Sequence, residues 1–191
     1  MASAAEQLGR DAQRYSSVAI ALHWLIAALI VLNLILGFFH EDFGRETRSW
    51  MMFFHKATGI TILALSLARL VWRLAHRPPP IDPILQAWEA GLARAVHWLF
   101  YALLIAMPLS GWMLSSSSDR GVDYFGLFDI APLPISRSDD MHDLLEEAHE
   151  LLAFSMIALM FLHIAGALKH HVQGHRHLTA RMVPWLERRT V

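Results

Sequence analysis

The sequence predicts an all-α integral membrane protein, a bundle of four helices that each cross a lipid bilayer. Apolar residues make up 55% of its 191 positions and charged residues only 17%, and the mean hydropathy is +0.36. Soluble domains carry about 25% charged residues. Four apolar stretches, at 18–39, 50–72, 95–114 and 144–168, are each close to the roughly 20 residues that span hydrocarbon. A soluble bundle would need helices with polar outer faces, which these stretches lack.

The first two stretches have clear ends. The first is longer than the apolar region of a signal peptide, and it runs into Glu41 and Asp42 instead of a cleavage site of small residues. We therefore expect a retained helix. The second ends at Arg77, where three prolines follow, because proline lacks the amide hydrogen and disfavours helix in the residue before it. We expect a single domain over residues 1–191.

The third stretch closes at Ser115–Ser118 and a long loop, 115–143, leads to the fourth. With Tyr124, Phe125 and Phe128, this loop is too apolar for a disordered linker. We expect it to pack as a cap over one end of the bundle. A short interfacial helix within it is a further expectation.

Basic residues predict the orientation, since loops rich in Lys and Arg stay cytoplasmic. The two tails and the second loop with its helix ends carry 11 of the 16 basic residues. The third loop has two bases against nine acids between Asp119 and Glu150. Both termini should therefore be cytoplasmic, and the first and third loops should face outward, in a multi-pass protein of a plasma membrane.

Histidine is the unusual component of the apolar stretches. The chain has no cysteine, which excludes disulfides, iron–sulfur clusters, thiolate-ligated haem and c-type haem attachment. It has twelve histidines, of which five fall in the predicted spans. Ionisable groups there are costly to insert and are functional candidates. The five are His23, His55, His97, His149 and His163.

The spacing of these histidines predicts two haem sites. His149 and His163 are 14 residues apart, which places them within about 40° of one helix face and roughly 21 Å apart along its axis. One helix thus presents an imidazole near each membrane surface. At matching depths, His23 can pair with His163 near the cytoplasm and His55 with His149 near the outside. His40, beside Glu41, is the competitor to His55.

Small and basic residues fit the same two depths. Gly37 follows His23 by 14 residues, and Gly59 and Gly166 lie one turn after His55 and His163, where a missing side chain would admit a porphyrin. Glycines are also common at helix contacts in membrane bundles without a cofactor. Arg69, 14 residues after His55, is either a propionate partner at the inner haem or a positively charged anchor at the cytoplasmic surface.

The assembled motifs resemble the bacterial cytochrome b561 family over nearly the whole chain, from about Tyr15 to Trp185. The matching segments are Tyr15-Ser16-(x5)-Leu22-His23-Trp24-Leu25, His55-Lys56-(x2)-Gly59 and Glu147-Ala148-His149-Glu150-(x12)-His163-(x6)-His170-His171. The resemblance implies a four-helix cytochrome of the bacterial inner membrane with two haems b. It also implies an association with quinone and, in some members, oxidation of superoxide. The family's ligand positions fall on His23, His55, His149 and His163.

Two axial histidines leave iron no open position, so the expected chemistry is outer-sphere electron transfer and no residue is assigned a catalytic role. The expected partners are membrane lipid, quinone and a small electron donor such as superoxide, with no nucleic acid; a protein partner or homo-oligomer stays open. The alternative function is a membrane-anchor subunit that links a hydrogenase-like or dehydrogenase-like partner to quinone. A haem-free transporter is disfavoured because there are only four spans and no acidic residue in mid-membrane.

Residues near the ends of the bundle give further candidates. His170 lies seven residues after His163, about 10 Å further toward the cytoplasm and near Tyr15 and Ser16. It is either a quinone ligand that moves a proton or an ordinary interfacial histidine. His97 either lines the inner haem pocket or packs at the interface.

Two charge patterns complete the analysis. The histidines at 170, 171, 175 and 177 resemble a metal-binding cluster, but no carboxylate stands among them and we do not expect a dedicated site. The acidic third loop would repel an anionic donor unless Lys56, Arg120 or Arg137 forms a positive funnel near the outer haem. Lys56, next to His55, is the favoured steering charge.

Overall fold

The computed structural model describes residues 14–76 and 78–183. Four long helices dominate this part of the chain, and all four are long and apolar enough to cross a membrane. The predicted all-α four-helix membrane fold is confirmed. The helices are α1 (Ser17–Phe39), α2 (Arg45–Ala75), α3 (Ala87–Ser117) and α4 (Asp139–Val172), followed by the short α5 (Arg176–Ala180).

The helices extend beyond the apolar stretches because polar caps start them early. Ser16 caps α1 by accepting a hydrogen bond from the Ala19 amide, and Ser138 caps α4 through the Met141 amide. At α3, Gln86 and Glu89 form a capping box, in which each side chain satisfies a backbone amide of the other's turn. The third helix therefore begins at Ala87, two turns before the apolar stretch itself.

One apolar layer holds the four helices together at mid-bundle. It contains one buried side chain from each long helix: Ile26, Ile62, Leu104 and Met156. Met156 lies midway between His149 and His163 along α4, and Ile62 lies midway between His55 and Arg69 along α2. The layer therefore separates the two ends of the molecule, each of which holds a histidine pair.

Between α3 and α4 the chain forms a β-hairpin instead of the expected interfacial helix. Strands β1 (Val122–Tyr124) and β2 (Phe128–Ile130) pair antiparallel. Polar and apolar residues alternate along them with a period of two, which suits a strand. Phe125 and Gly126 have φ of 55° and 73°, which turns the chain and is incompatible with a helix.

The hairpin is fixed to the end of α3 by a row of buried serines. Ser116 accepts a hydrogen bond from the Leu133 amide at 2.9 Å, and Ser115 donates to the Gly121 carbonyl at 3.3 Å. The indole of Trp112 donates to the Ala131 carbonyl at 3.2 Å. We call this end of the bundle the hairpin end, and the opposite end, where α5 packs, the tail end.

At the tail end, α5 is held against the α2–α3 loop through Asp82. The Asp82 carboxylate lies 3.0 Å from Arg181 Nη2 and 3.1 Å from His177 Nε2, and Arg181 also donates to the Pro80 carbonyl at 2.9 Å. Trp24 on α1 donates to the Met182 carbonyl at 2.8 Å. These contacts join the segment after α4 to two other parts of the bundle.

Candidate functional site

At the hairpin end, His55 of α2 and His149 of α4 face each other with ring centroids 6.1 Å apart. Nδ1 of His55 lies 3.0 Å from the Asn33 carbonyl oxygen. A carbonyl can only accept, so Nδ1 carries the proton and donates it. Nε2 of His55 is then the nitrogen with a free lone pair, the form in which a histidine binds a metal while its other nitrogen is held by a carbonyl.

His149 is oriented in the same way through a hydroxyl. Ser110 Oγ donates its proton to the Met107 carbonyl at 2.8 Å and lies 2.9 Å from His149 Nδ1. Because the single hydroxyl proton is already used, the imidazole donates and the hydroxyl accepts. Both hairpin-end histidines therefore keep Nε2 available for a ligand. The sequence analysis missed Ser110, since a serine in an apolar helix follows no periodic pattern.

Two glycines make room for these rings. A Cβ on Gly37 would lie 2.9 Å from His55 Cε1, and a Cβ on Gly111 would lie 2.9 Å from His149 Cε1. Gly37 was a sequence candidate, whereas Gly111 was missed. Gly111 follows His97 by 14 residues, the same interval that separates Gly37 from His23, so the spacing could have identified it. Gly59 makes an ordinary contact with Asn33, and Gly166 faces open space.

A cavity of about 680 Å³ occupies the hairpin end. This volume lies within the usual range for a bound cofactor. Both hairpin-end histidines and both close-packed glycines line it, as do Gly59 and the buried edge of the mid-bundle layer. His40, from the 3₁₀ turn His40–Asp42, also lines the cavity and donates from Nδ1 to the Gly37 carbonyl at 2.8 Å.

Basic residues surround the mouth of this cavity. Lys56, Arg48 and Arg120 all line it. Lys56 Nζ donates to Ser115 Oγ at 3.1 Å, while Arg48 is paired with Glu41 at 3.1 Å. Arg137 lies elsewhere, in an ion pair with Asp119 at 2.7 Å. Of the three predicted steering charges, the structure thus brings Lys56 and Arg120 to the cavity.

At the tail end, His23 of α1 and His163 of α4 have ring centroids 6.2 Å apart. His97 of α3 lies as near to His163, at 5.8 Å, and Phe100 packs on the same ring at 5.4 Å. This end therefore holds three imidazoles. Arg69 Nη1 donates to the Ala19 carbonyl at 3.4 Å, one turn before His23, which puts the guanidinium at the depth of the cluster.

The separation of the paired rings suits a shared iron atom. A metal–imidazole bond is about 2 Å long and the ring centre lies about 1 Å behind the bonding nitrogen, so two imidazoles on one metal have ring centres roughly 6 Å apart. The observed 6.1 and 6.2 Å agree with this value. No group of three or more His, Cys, Asp or Glu side chains among residues 14–76 and 78–183 could hold a bare metal ion. A haem, which brings four ligands of its own, needs only the pair.

The remaining candidates lie at the tail end without forming one site. Nδ1 of His170 is buried and has no hydrogen-bond partner, whereas the Ser16 hydroxyl accepts from the Trp72 indole at 3.0 Å. Within the described chain, none of the hydrogen bonds joins His170 to Tyr15 or Ser16. In the suspected metal cluster, His171 pairs with Thr179 at 3.0 Å and His177 with Asp82.

Comparison with known proteins identifies this arrangement of paired histidines. The family model described as prokaryotic cytochrome b561 matches residues 14–185. The chain belongs to the prokaryotic cytochrome b561 family. It is 31% identical over 172 residues to a protein of Yersinia pestis named probable superoxide oxidase CybB, covering 90% of this chain and 97% of that one.

Two proteins of Escherichia coli K12 are also similar. Cytochrome b561 homolog 2 is 28% identical over 165 residues, covering 83% of this chain and 85% of the relative. Cytochrome b561 homolog 1 is 27% identical over 175 residues, covering 90% and 97%. As a cytochrome b561, the chain is a haem b protein of the bacterial inner membrane that transfers electrons across the membrane.

Proposed function

We propose that this cytochrome moves electrons across the inner membrane through two haems b, one held by His55 and His149 and the other by His23 and His163. The observation that supports this most directly is the pair of facing imidazoles at each end of α4, at 6.1 and 6.2 Å. When bound, each haem supplies a one-electron redox centre with both axial positions filled. The pairs lie roughly 21 Å apart along α4.

The chain's own groups orient the hairpin-end ligands. Asn33 O and Ser110 Oγ hold the Nδ1 protons of His55 and His149, which leaves each Nε2 lone pair free and fixes the ring planes. At the tail end, Arg69 supplies a positive charge that suits a haem propionate. His97 is the competing ligand there, because it lies as close to His163 as His23 does.

We further propose that the hairpin end faces the periplasm and accepts electrons from superoxide. Basic residues are concentrated in the tails and the second loop, which favours a cytoplasmic tail end. The Yersinia relative is named for superoxide oxidation. Lys56 and Arg120 at the cavity mouth offer a local positive potential for a small anion within an acidic surface.

Quinone is the proposed acceptor at the tail end. His170 is one and a half to two turns beyond His163, and its buried Nδ1 has no protein partner. A buried polar atom of this kind is costly unless a ligand or water satisfies it. The imidazole can hydrogen-bond a quinone carbonyl and pass a proton to it.

The first experiment is an optical difference spectrum with pyridine haemochrome quantitation of the purified protein. We expect two haems b per chain, and one haem in each His→Ala variant at positions 23, 55, 149 and 163. The His97→Ala variant is the matched control for the tail end and should keep both haems. Loss of a haem in His97→Ala with retention in His23→Ala would reassign the tail-end ligand. A folded protein without haem would refute the proposal.

A further inference from the structure

The β-hairpin has one apolar and one acidic face. In its register, Val122 pairs with Ile130, Asp123 with Asp129, and Tyr124 with Phe128. Because side chains alternate across a strand, the first and last of these pairs share one face and the two aspartates share the other. The hairpin is thus amphipathic over only six strand residues.

The apolar face is directed at the bundle and reaches far down α2. Val122 is 2% exposed. The Tyr124 hydroxyl lies 3.1 Å from Thr61 Oγ1, and Thr61 donates its own proton to the Ala57 carbonyl, so Tyr124 is the donor. Thr61 lies 11 residues inside the span predicted to begin at Trp50, about 16 Å along the helix. The hairpin therefore packs at membrane depth and does not stand above the end of α2.

The tip of the same face is left uncovered. Leu127 is 75% exposed and Phe128 is 58% exposed. Phe125 contacts Phe54 of α2 with ring centroids 6.2 Å apart, and Phe54 in turn stacks on Trp50 at 6.1 Å. The tip is therefore continuous with an aromatic surface on α2 that faces lipid.

We propose that residues 125–128 insert into the interfacial region of the lipid leaflet at the hairpin end. Aromatic and aliphatic side chains beside the end of a membrane helix are typical of that region. The arrangement of charge favours lipid over a protein partner, since Asp123 and Asp129 lie on the opposite face, which stays in water. The hairpin would then be anchored to the bilayer as well as to α2, next to the mouth of the cavity.

The absence of cysteine from the chain permits a direct test with single labels. Leu127→Cys and its matched control Asp129→Cys, from the same hairpin but the opposite face, are each labelled with an environment-sensitive nitrobenzoxadiazole. The haem-loaded protein is placed in phosphatidylethanolamine–phosphatidylglycerol vesicles with and without a lipid that carries a shallow nitroxide. Because both positions are exposed, neither change should disturb folding, which the haem spectrum checks.

We expect blue-shifted emission at position 127 and loss of its fluorescence when the nitroxide lipid is present. The label at position 129 should stay insensitive to the nitroxide and be quenched by aqueous iodide. Iodide quenching at both positions would overturn the proposal. So would nitroxide-insensitive emission at 127 that depends on the protein-to-lipid ratio, because that result indicates a second copy of the chain on the tip.

Discussion

Ser110 determines how the His149 ring is held, through the single proton of its hydroxyl. In Ser110→Ala the Nδ1–H of His149 loses its acceptor, so the imidazole becomes a poorer donor to iron. Partners of metal-binding histidines typically contribute about 10–100-fold in affinity. We expect faster haem loss at the hairpin end and a higher midpoint potential for that haem, measured by potentiometric titration.

Two variants make the result at Ser110 specific. Ser110→Thr keeps the hydroxyl and should restore the potential. Ser155→Ala removes a hydroxyl that only bonds the Leu151 carbonyl and should change neither haem. An equal shift of both haems in Ser110→Ala would point to general loosening of the bundle and contradict a positioning role.

Gly111 is required by the close approach of His149. In Gly111→Ala the added methyl would lie 2.9 Å from the ring, closer than side chains pack, so the imidazole must move. We expect loss of the hairpin-end haem alone, read from the reduced spectrum. Gly91→Ala on the same helix meets open space and should stabilise α3 by about 1 kcal/mol, because alanine is the better helix former. Retention of both haems in Gly111→Ala would refute this.

At the residue scale the sequence predicted what a 14-residue repeat can reveal. The histidines of α4 and Gly37 lie on that repeat, and the structure brings each of them to a histidine pair. Gly111 was accessible by the same rule through His97, but no partner motif pointed to it. Ser110 could not be found, because its role depends on how α3 is rotated toward α4, which only packing determines.

Among the smaller elements, α5 depends on one carboxylate in the α2–α3 loop. Burial tends to raise the pKa of Asp82, but the Ile84 amide and the positive charges of His177 and Arg181 outweigh it and hold the pKa below its usual value. A lowered folded-state pKa means that ionised Asp82 stabilises the docked α5 above the unfolded pKa of about 3.9, and that this stability is lost as the pH falls through the folded value.

The Asp82→Asn variant tests this docking. We expect faster hydrogen exchange in residues 176–180 at neutral pH, because Arg181 and His177 lose an ionic partner. The wild type should show the same increase only on acidification below about pH 4, after correction for intrinsic exchange. Equal protection of α5 in both proteins at neutral pH would show that the Trp24–Met182 contact is sufficient.

The hairpin shows where element prediction from sequence ends. The apolar character of 115–143 predicted an ordered segment, but a strand of three residues is too short for its alternation to stand out from a helical pattern. The left-handed turn at Phe125 and Gly126 is also weakly encoded, since phenylalanine rarely adopts such a conformation. In contrast, the long helices were predicted because each must span hydrocarbon.

Considered as a whole, the molecule offers an acidic hairpin end with a small basic opening. Lys56→Gln should lower the rate of haem reduction by superoxide and reduce its dependence on salt, because a positive charge that steers the anion is lost. Stopped-flow reduction at several ionic strengths measures both. Arg137→Gln is the control: its charge is paired with Asp119 away from the cavity, so the rate should hardly change. Identical kinetics in both variants would remove Lys56 from the steering role.

The mid-bundle layer has a consequence for energetics of the cell. Ile26, Ile62, Leu104 and Met156 are at most 6% exposed and offer neither water nor a titratable group, so protons and ions cannot follow an electron across them. Each electron that crosses the layer therefore displaces net charge over most of the bilayer's thickness, and a full crossing is coupled to about 2 kcal/mol per 100 mV of membrane voltage. Turnover by this cytochrome should be electrogenic, and its rate should respond when an ionophore collapses the voltage.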